Sequence, residues 1–316
     1  MSPTTIFTPA TTPARWVFDL SLLVGGVCAG IFLIVFGLLA YSVIKFRKTA
    51  QDDGFEPPQV YGSRQIELAW TIIPVLIVFV LFLASARVVY ATEQHRFGPN
   101  TLDVNVVGHQ FWWEYRYPGL GIVTANELHV PESDPAQPIE TRLLLRSADT
   151  VHSFWVPKLG GKLDLIPNSP NELWIDPAQP GLYLGQCAQY CGVQHAMMLI
   201  RVYVEPREQF LSWVERQKGR AEPSSSVAVG RELFEHSACR SCHTVVGTAA
   251  DGRFGPDLTH LMSRDTLGAG IIPNSRENLR SWIKDPSRFK PHSLMPAMGL
   301  SESGLDAVTD YLVSLR

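Results

Sequence analysis

Two apolar runs, Trp16 to Ile44 and Leu68 to Ala86, constrain this chain more than any other feature. Each reaches the roughly 20 residues a helix needs to cross a hydrocarbon layer, and Asp19 is the only acidic residue in either. In lipid the backbone must satisfy its own N–H and C=O groups, so both runs are expected to be helical, and Pro74 is tolerable inside the second. Lys45, Arg47, Lys48 and Arg64 lie between the runs, while only Arg15 precedes them. The positive-inside rule therefore puts the connecting loop in the cytoplasm and both termini outside. The N-terminal segment lacks a basic stretch and the first run is too long for a signal-peptide core, so it reads as an uncleaved span. Cys28 in that run follows Val27, not the small residue a lipidation site prefers, and is expected to be buried in packing.

The spans also explain the composition. Hydrophobic residues make up 46% of the 316 positions, and the mean hydropathy of +0.04 is high for a chain without membrane segments. The net charge is −3 and the charge is not strongly polarised along the chain, so nothing points to a nucleic-acid partner. Residues 1–95 read as a transmembrane hairpin with spans at about 16–44 and 67–90. From 96 to 205 the pattern changes to short runs rich in Val, Ile, Leu and aromatics: Leu102 to Val107, Phe111 to Tyr117, Ile139 to Leu145, Val151 to Val156, Glu172 to Ile175, Leu182 to Leu184 and Leu199 to Val204. Turn chemistry separates them, as in Tyr117-Pro-Gly, Pro131-Glu-Ser-Asp-Pro135 and Asn168-Ser-Pro-Asn171. Such a series predicts an all-β domain, an antiparallel sandwich or barrel. Residues 206–226 read as a connecting segment, and the polar stretch from Arg216 to Ser226, with Pro223 before three serines, as a linker.

Residues 227–316 are helical in pattern. Val227 to His236 forms one helix; Arg276 to Lys284 carries Leu279 and Ile283 at i, i+4. The last segment puts Leu305, Val308, Leu312 and Leu315 on one face, with Ser301 as N-cap.

Four of the five cysteines lie in two motifs. Cys187-Ala-Gln-Tyr-Cys191-Gly-Val-Gln-His195-Ala-Met-Met198 crowds soft donors into one loop between two expected strands, and His152 lies upstream at the start of another. Thiolates, imidazole and a weak thioether suit copper. A second thiolate lets both sulfurs bridge two metal ions and spread one electron over the pair, so the residues favour a binuclear site. A plain Cys-x3-Cys disulfide and a structural Cys2His2 zinc site are the alternatives; thioether is a poor zinc ligand. The second motif, Cys239-Arg-Ser-Cys242-His243, reads as covalent haem c attachment, with the thiols added to the vinyl groups and His243 on the iron. A thioredoxin-type redox pair is the alternative, opposed by the adjacent His and by the absence of a nearby strand–helix–strand pattern. A downstream Met would complete the iron on the other face and raise its potential. Met295 in Leu-Met-Pro-Ala is the choice, with Met298 and Met262 as alternatives; His260 and His292 are expected at the surface.

The copper loop, with His152-Ser-Phe-Trp-Val-Pro-Lys-Leu-Gly-Gly-Lys-Leu-Asp-Leu-Ile-Pro167 before it, resembles subunit II of haem-copper cytochrome c oxidases. Met295-Pro296, Gly255-Pro-Asp-Leu258 and the C-terminal helix resemble class I cytochromes c, and Trp282-Ile-Lys-Asp-Pro286 is similar to cytochrome domains fused to such oxidases. The resemblance covers nearly the whole chain. It implies a two-helix hairpin, a cupredoxin-like sandwich and an all-α cytochrome c domain, in that order. It also implies a dinuclear CuA centre with two copper ions: Cys187 and Cys191 bridging, His152 and His195 terminal, Met198 weak and axial on one copper, and the Gln189 backbone carbonyl on the other. Met197 is the neighbouring alternative to Met198.

With one covalent haem c, the chain would be the electron-entry subunit of a terminal oxidase in a bacterial-type plasma membrane, its redox domains on the outer face. It would pass electrons to subunit I, where O2 is reduced to water coupled to proton translocation. Subunit III, and a cytochrome c or quinol–cytochrome c reductase as donor, are the further partners implied. Glu67, in Glu67-Leu-Ala-Trp-Thr71, matches a proton-entry position of the family; an interfacial carboxylate beside Arg64 is the plain alternative.

Two departures matter. Gln189 stands where the family usually has Glu, which removes a carboxylate that helps hold magnesium and puts that ion in doubt. Gln110-Phe111-Trp112-Trp113 stands where the family commonly has Gln-Trp, its Trp being the entry for a soluble donor. The electron path through Phe111, Trp112 and Trp113 is therefore expected to start from the chain's own haem; ordinary strand packing is the alternative for both tryptophans. Subunit II of a CuA-containing nitric oxide reductase, or a free-standing membrane-anchored carrier, would present the same motifs.

Overall fold

The computed structural model describes residues 4–48, 54, 59, 61–134, 136, 138–220 and 225–316. Pro135 of the expected turn, and residues 221–224 with Pro223 of the expected linker, lie outside the described residues. The chain divides into two compact units, residues 16–95 and residues 1–15 together with 96–316.

In the first unit, Thr12–Lys45 forms α1, which begins in the other unit, and Arg64–Glu93 forms α2. The shorter is about 45 Å long at 1.5 Å per residue, more than a hydrocarbon core of roughly 30 Å requires. Both are apolar all round, and Leu33, Phe36, Val78 and Phe82 are among many large side chains left exposed, as lipid-facing helices require. Cys28 is exposed too, contrary to the packing expected of it. Each helix of a hairpin has only one neighbour to pack on and leaves the rest of its surface bare. Pro74 lies inside α2 without ending it, and Glu67 sits in its first turn, where its carbonyl accepts from Thr71 Oγ1 at 2.9 Å.

In the second unit ten strands follow in order: β1 Leu102–His109, β2 Trp112–Tyr117, β3 Ile122–Ala125, β4 Glu127–Pro131, β5 Thr141–Ser147, β6 His152–Trp155, β7 Leu163–Leu165, β8 Asn171–Ile175, β9 Gly181–Cys187 and β10 Leu199–Glu205. They build two five-stranded sheets, β3-β2-β1-β5-β8 and β4-β10-β9-β6-β7, a cupredoxin-like sandwich. The sheets are mixed rather than antiparallel as expected, because β1 pairs with β5, and β4 with β10, in parallel. Parallel neighbours need long crossovers, and short hydrophobic runs alone cannot report which crossover the chain takes. Trp113, Tyr115, Leu143, Phe154 and Leu165 fill the core between the sheets. The N-terminal segment is tied to this domain: Ala10 N donates to Lys158 O at 2.8 Å, Thr11 Oγ1 to Leu159 O at 2.7 Å, and Thr12 N to Asp176 Oδ1 at 2.7 Å.

The stretch read as linker starts later than expected. Arg207–Lys218 is a helix, α3, with Phe210, Trp213, Val214 and Gln217 buried on one face. Trp213 stacks on His129 with ring centroids 4.4 Å apart and lies 5.4 Å from Tyr117, so burial of its apolar stripe extends a helix into polar sequence.

The remaining helices are α4 Ala228–His236, the single turn α5 Cys239–Cys242, α6 Arg276–Lys284 and α7 Glu302–Val313, with a small β11 Thr266–Leu267 and β12 Ile272–Pro273 ribbon. Ser301 caps α7 by accepting from Gly304 N, and Leu305, Val308, Leu312 and Leu315 are all buried. Helices α4 and α7 cross at Gly230, where a Cβ would meet Ala307 O at 1.9 Å. Gly230→Ala is therefore expected to destabilise the C-terminal helical region by about 1–3 kcal/mol, the usual range for overpacking. Thermal unfolding followed by far-ultraviolet circular dichroism checks this.

Candidate functional site

The loop from β9 to β10 gathers the first set of donors. Cys187 ends β9, a short 3-10 turn covers His195–Met197, and Met198 precedes β10. Cys187 N donates to Met198 O at 2.9 Å, which closes the loop at its base. Across from it, His152 opens β6, and its neighbour Phe154 pairs in register with Cys187. The cysteines are separate thiols with sulfurs 3.9 Å apart. His152 Nδ1 lies 3.9 Å from Cys187 Sγ, and His195 Nδ1 lies 3.7 Å from Cys191 Sγ. The Gln189 carbonyl oxygen is 3.2 Å from Cys187 Sγ.

His152, Cys187 and Cys191 offer donor atoms within 4.8 Å of one another, and His195 falls outside that trio. The donors thus form an elongated set, sulfurs in the middle and one imidazole toward each end. Met198 is fully buried in the same core cluster as both cysteines, whereas Met197 is half-buried.

Protonation suits a cation here. The hydrogen bond from the Cys191 thiol outweighs burial and, with His152, holds Cys187 well below the ordinary thiol range. The same bond and burial push Cys191 up. One thiolate is therefore preformed. Two sulfurs, two imidazoles, a carbonyl and a thioether in this order fit a pair of soft metal ions better than one tetrahedral ion.

Asp149, which no motif in the sequence singles out, is held against His152. Its Oδ1 lies 2.8 Å from His152 Nε2, and its carboxylate also accepts from Gln110 N and Thr150 N, each at 2.6 Å. Burial alone would lower His152 and raise Asp149, but their mutual hydrogen bond, aided by Cys187 on one side and the two amides on the other, reverses both shifts. The bond assigns the Nε2 proton to Asp149 and turns Nδ1 toward the sulfurs. Outer partners of this kind typically govern 10- to 100-fold in metal affinity. Asp149→Asn is expected to weaken copper retention by about that factor during chelator competition. Its signal in the sequence is an acidic residue three positions before a candidate ligand.

The second set lies in a cavity of about 1360 Å³, counted to its open mouth, lined by Cys239, Cys242, His243, Met295 and Met298 among apolar residues such as Phe234, Leu279 and Trp282. The α5 turn brings both thiols to the wall, and burial pushes the Cys239 thiol up. His243 Nδ1 donates to Pro256 O at 2.8 Å, which leaves Nε2 as the unprotonated nitrogen, and burial holds the ring below the ordinary imidazole value. Arg264 is buried on the same wall; its Nη2 donates to Asp257 O at 2.5 Å, while its Nε has no partner. An orphaned guanidinium donor beside an apolar slot fits a flat ligand bearing carboxylates, as haem does. Met262 packs on the core but does not line the cavity.

His292 is exposed as expected. His260 is not at the surface: it is 6% exposed, with ring nitrogens 2.9 Å from Arg316 O and 3.0 Å from Gly219 O. Two carbonyls from distant parts of the chain draw the ring inward.

The two donor sets share a wall. Gln110, Phe111, Trp112 and Gln194 of the sandwich line the cavity that holds His243. Trp112 stacks on His109 at 4.2 Å and clusters with Ala125 and Ala269. Trp113 is fully buried, edge-on to His152 at 6.0 Å. Lys290, also on the wall, is buried with Nζ 2.8 Å from Phe111 O, and burial pushes its ammonium down to about 7 against the pull of Cys191.

Two apolar helices, a cupredoxin-like sandwich and a helical region with a Cys-x2-Cys-His cavity define a membrane-anchored chain with a cytochrome c domain. Family models match it in three parts: the transmembrane domain of cytochrome c oxidase subunit II over residues 6–88, its periplasmic domain over 135–204, and cytochrome c over 227–316. The cytochrome c oxidase subunit 2 of Alkalihalophilus pseudofirmus is 33% identical, over 99% of this chain and 91% of its own length. That of Bacillus sp. (strain PS3) is 33% identical, over 86% of this chain and 80% of its own. The periplasmic domain of subunit II of cytochrome oxidase from Bradyrhizobium japonicum aligns with 32% identity and a TM-score of 0.35, over 37% of this chain and 93% of that one. The chain belongs to the cytochrome c oxidase subunit II family.

Proposed function

We propose that the chain is the electron-entry subunit of a haem-copper terminal oxidase, taking electrons at a covalent haem c and passing them to a dinuclear CuA centre for delivery to subunit I. The observation that carries this reading is the shared wall, which puts two redox-type donor sets side by side in one compact unit. Cys239 and Cys242 would bind the porphyrin covalently, and His243 and Met295 would hold its iron. Cys187, Cys191, His152, His195, Met198 and the Gln189 carbonyl would hold two coppers. When bound, these groups supply one-electron chemistry at little structural cost.

The residues themselves set the conditions. Asp149 orients His152, Pro256 orients His243, and the apolar wall with Arg264 would limit water at a bound porphyrin. Phe111 and Trp112 line the cavity wall, and Trp113 lies behind them in the sandwich core, edge-on to His152. Gln189 brings no carboxylate to a magnesium site. Reduction of O2 to water and proton translocation belong to the complex with subunit I, and subunit III would complete it. A cytochrome c or a quinol–cytochrome c reductase would be the donor.

The redox domains are placed on the outer face of a bacterial-type plasma membrane. The basic loop supports this, as do the hydrogen bonds of residues 10–12 to the sandwich, which keep the N-terminus and the redox domains on one side. Anaerobic redox titration of the purified complex tests the assignment: haem c absorption plus a near-infrared copper band with two coppers per chain is expected, and one copper per chain would contradict it. Glu67 is proposed as a proton entry point. Glu67→Gln should slow turnover of the complex without altering the copper spectrum, and unchanged turnover removes that role.

A further inference from the structure

We propose that Lys290 and Gln194 form a fixed clamp that couples the haem cavity to the copper loop, so that the cytochrome region works docked in place rather than as a swinging donor. The inference rests on the proposed function and deepens it.

Lys290 stands on the cavity wall, 3% exposed, and its ammonium reaches across to the Phe111 carbonyl at 2.8 Å. A buried ammonium is costly without a partner, so this bond holds the 290 segment against the sandwich. From the other side the Gln194 amide donates to Lys290 O at 3.2 Å and to Pro291 O at 2.7 Å. Gln194 directly precedes His195. The residues flanking Lys290's contact also grip the loop: Gln110 Nε2 donates to Cys191 O at 2.6 Å, and the Phe111 ring lies where a Cβ on Gly192 would come within 2.9 Å. One hydrogen bond therefore separates the backbone at 290–291 from Gln194 on one side of the copper loop, and two, by way of Phe111 and Gln110, separate it from Cys191 on the other.

A second buried contact fixes the same docking. The Glu127 carboxylate, 2% exposed, accepts from Asp265 N, Thr266 N and Thr266 Oγ1 at 2.8 to 3.1 Å. Leu199 N donates to Ala269 O at 3.2 Å beside it in the chain. Contacts between freely moving domains are mostly solvated and polar; here a carboxylate and an ammonium are both buried at the contact and paired across it.

Electron coupling decays more slowly through bonds and hydrogen bonds than through empty space, which makes Lys290 O to Gln194 to His195 a short bonded route. One electron moves per step, oxidising the donor cofactor and reducing the acceptor by one, with no bond made or broken. When protonated, Lys290 would also place a positive charge in a low-dielectric wall, which would favour the reduced form of a haem held in the cavity. Both residues are positioning residues.

The test uses the intact purified complex, with haem c reduced by a rapid pulse and arrival of the electron followed at the near-infrared copper band. Gln194→Leu should slow transfer about tenfold or more, as small losses of alignment do, with both reduction potentials unchanged. Lys290→Met should slow it similarly and also lower the haem potential, and Lys290→Arg should restore most of both. Transfer within about twofold of the native rate in Gln194→Leu and Lys290→Met would overturn the clamp. If Lys290→Met fails to assemble, Gln194→Leu decides alone. If the native complex itself shows no transfer from haem to copper, the proposed function fails instead.

Discussion

Replacing Cys191 with serine is expected to empty the copper loop while leaving the haem in place. Cys191 Sγ stands between Cys187 Sγ, at 3.9 Å, and His195 Nδ1, at 3.7 Å, and so joins the two ends of the donor set. A serine hydroxyl is a hard, protonated donor at neutral pH and cannot replace a bridging thiolate. Copper per chain should fall from the proposed two to below one, and the near-infrared band should vanish. Cys239, Cys242 and His243 belong to another core cluster or its cavity, so haem c absorption should persist. Two coppers retained in the variant would remove Cys191 from the ligand set.

Met295→Leu is expected to have the second large effect. Met295 and Met298 both line the cavity with His243, and a thioether on the iron raises its potential. Axial ligands command a range of about 0.8 V, and loss of one Met should lower the haem c potential by roughly 100 mV or more. Met298→Leu should leave it nearly unchanged. Spectroelectrochemical titration of both variants separates the assignments, and the reverse pattern would move the axial role to Met298. A lowered potential also makes back transfer to the haem less favourable, so the copper would stay reduced longer when the downstream path is blocked.

Much of this could be read from the residues because strong local chemistry announces itself. Ser301 and the Leu305, Val308, Leu312, Leu315 stripe mark α7, and Cys-x2-Cys-His needs no tertiary information. The readings that failed depended on partners far along the chain. At Asn126 the backbone turns to φ 65, and its Oδ1 accepts from Trp113 N, where the chain leaves β3 for β4 in the other sheet. The polar Glu127 and His129 made that segment unlike a buried strand, yet both are buried, one by the 265–266 backbone and the other between Tyr203 and Trp213. Arg207–Lys218 is polar in three directions and helical because of the fourth. Asp149 carries no motif; it matters only once His152 Nε2 is known to face it. Lys290 likewise looks like any surface lysine until the docking buries it.

The parallel pairing of β4 with β10 has a consequence for how the protein is made. Glu127–Pro131 must wait for Leu199–Glu205, and the copper loop hangs from the last strand of the sandwich in chain order. Pairings this distant in sequence are slow to form. Until they do, the two thiols belong to an open chain, where a disulfide competes for them if the surroundings are oxidising. Early sheet closure would shorten that exposure, so the topology of one strand pair bears on when the thiols can be held apart for copper.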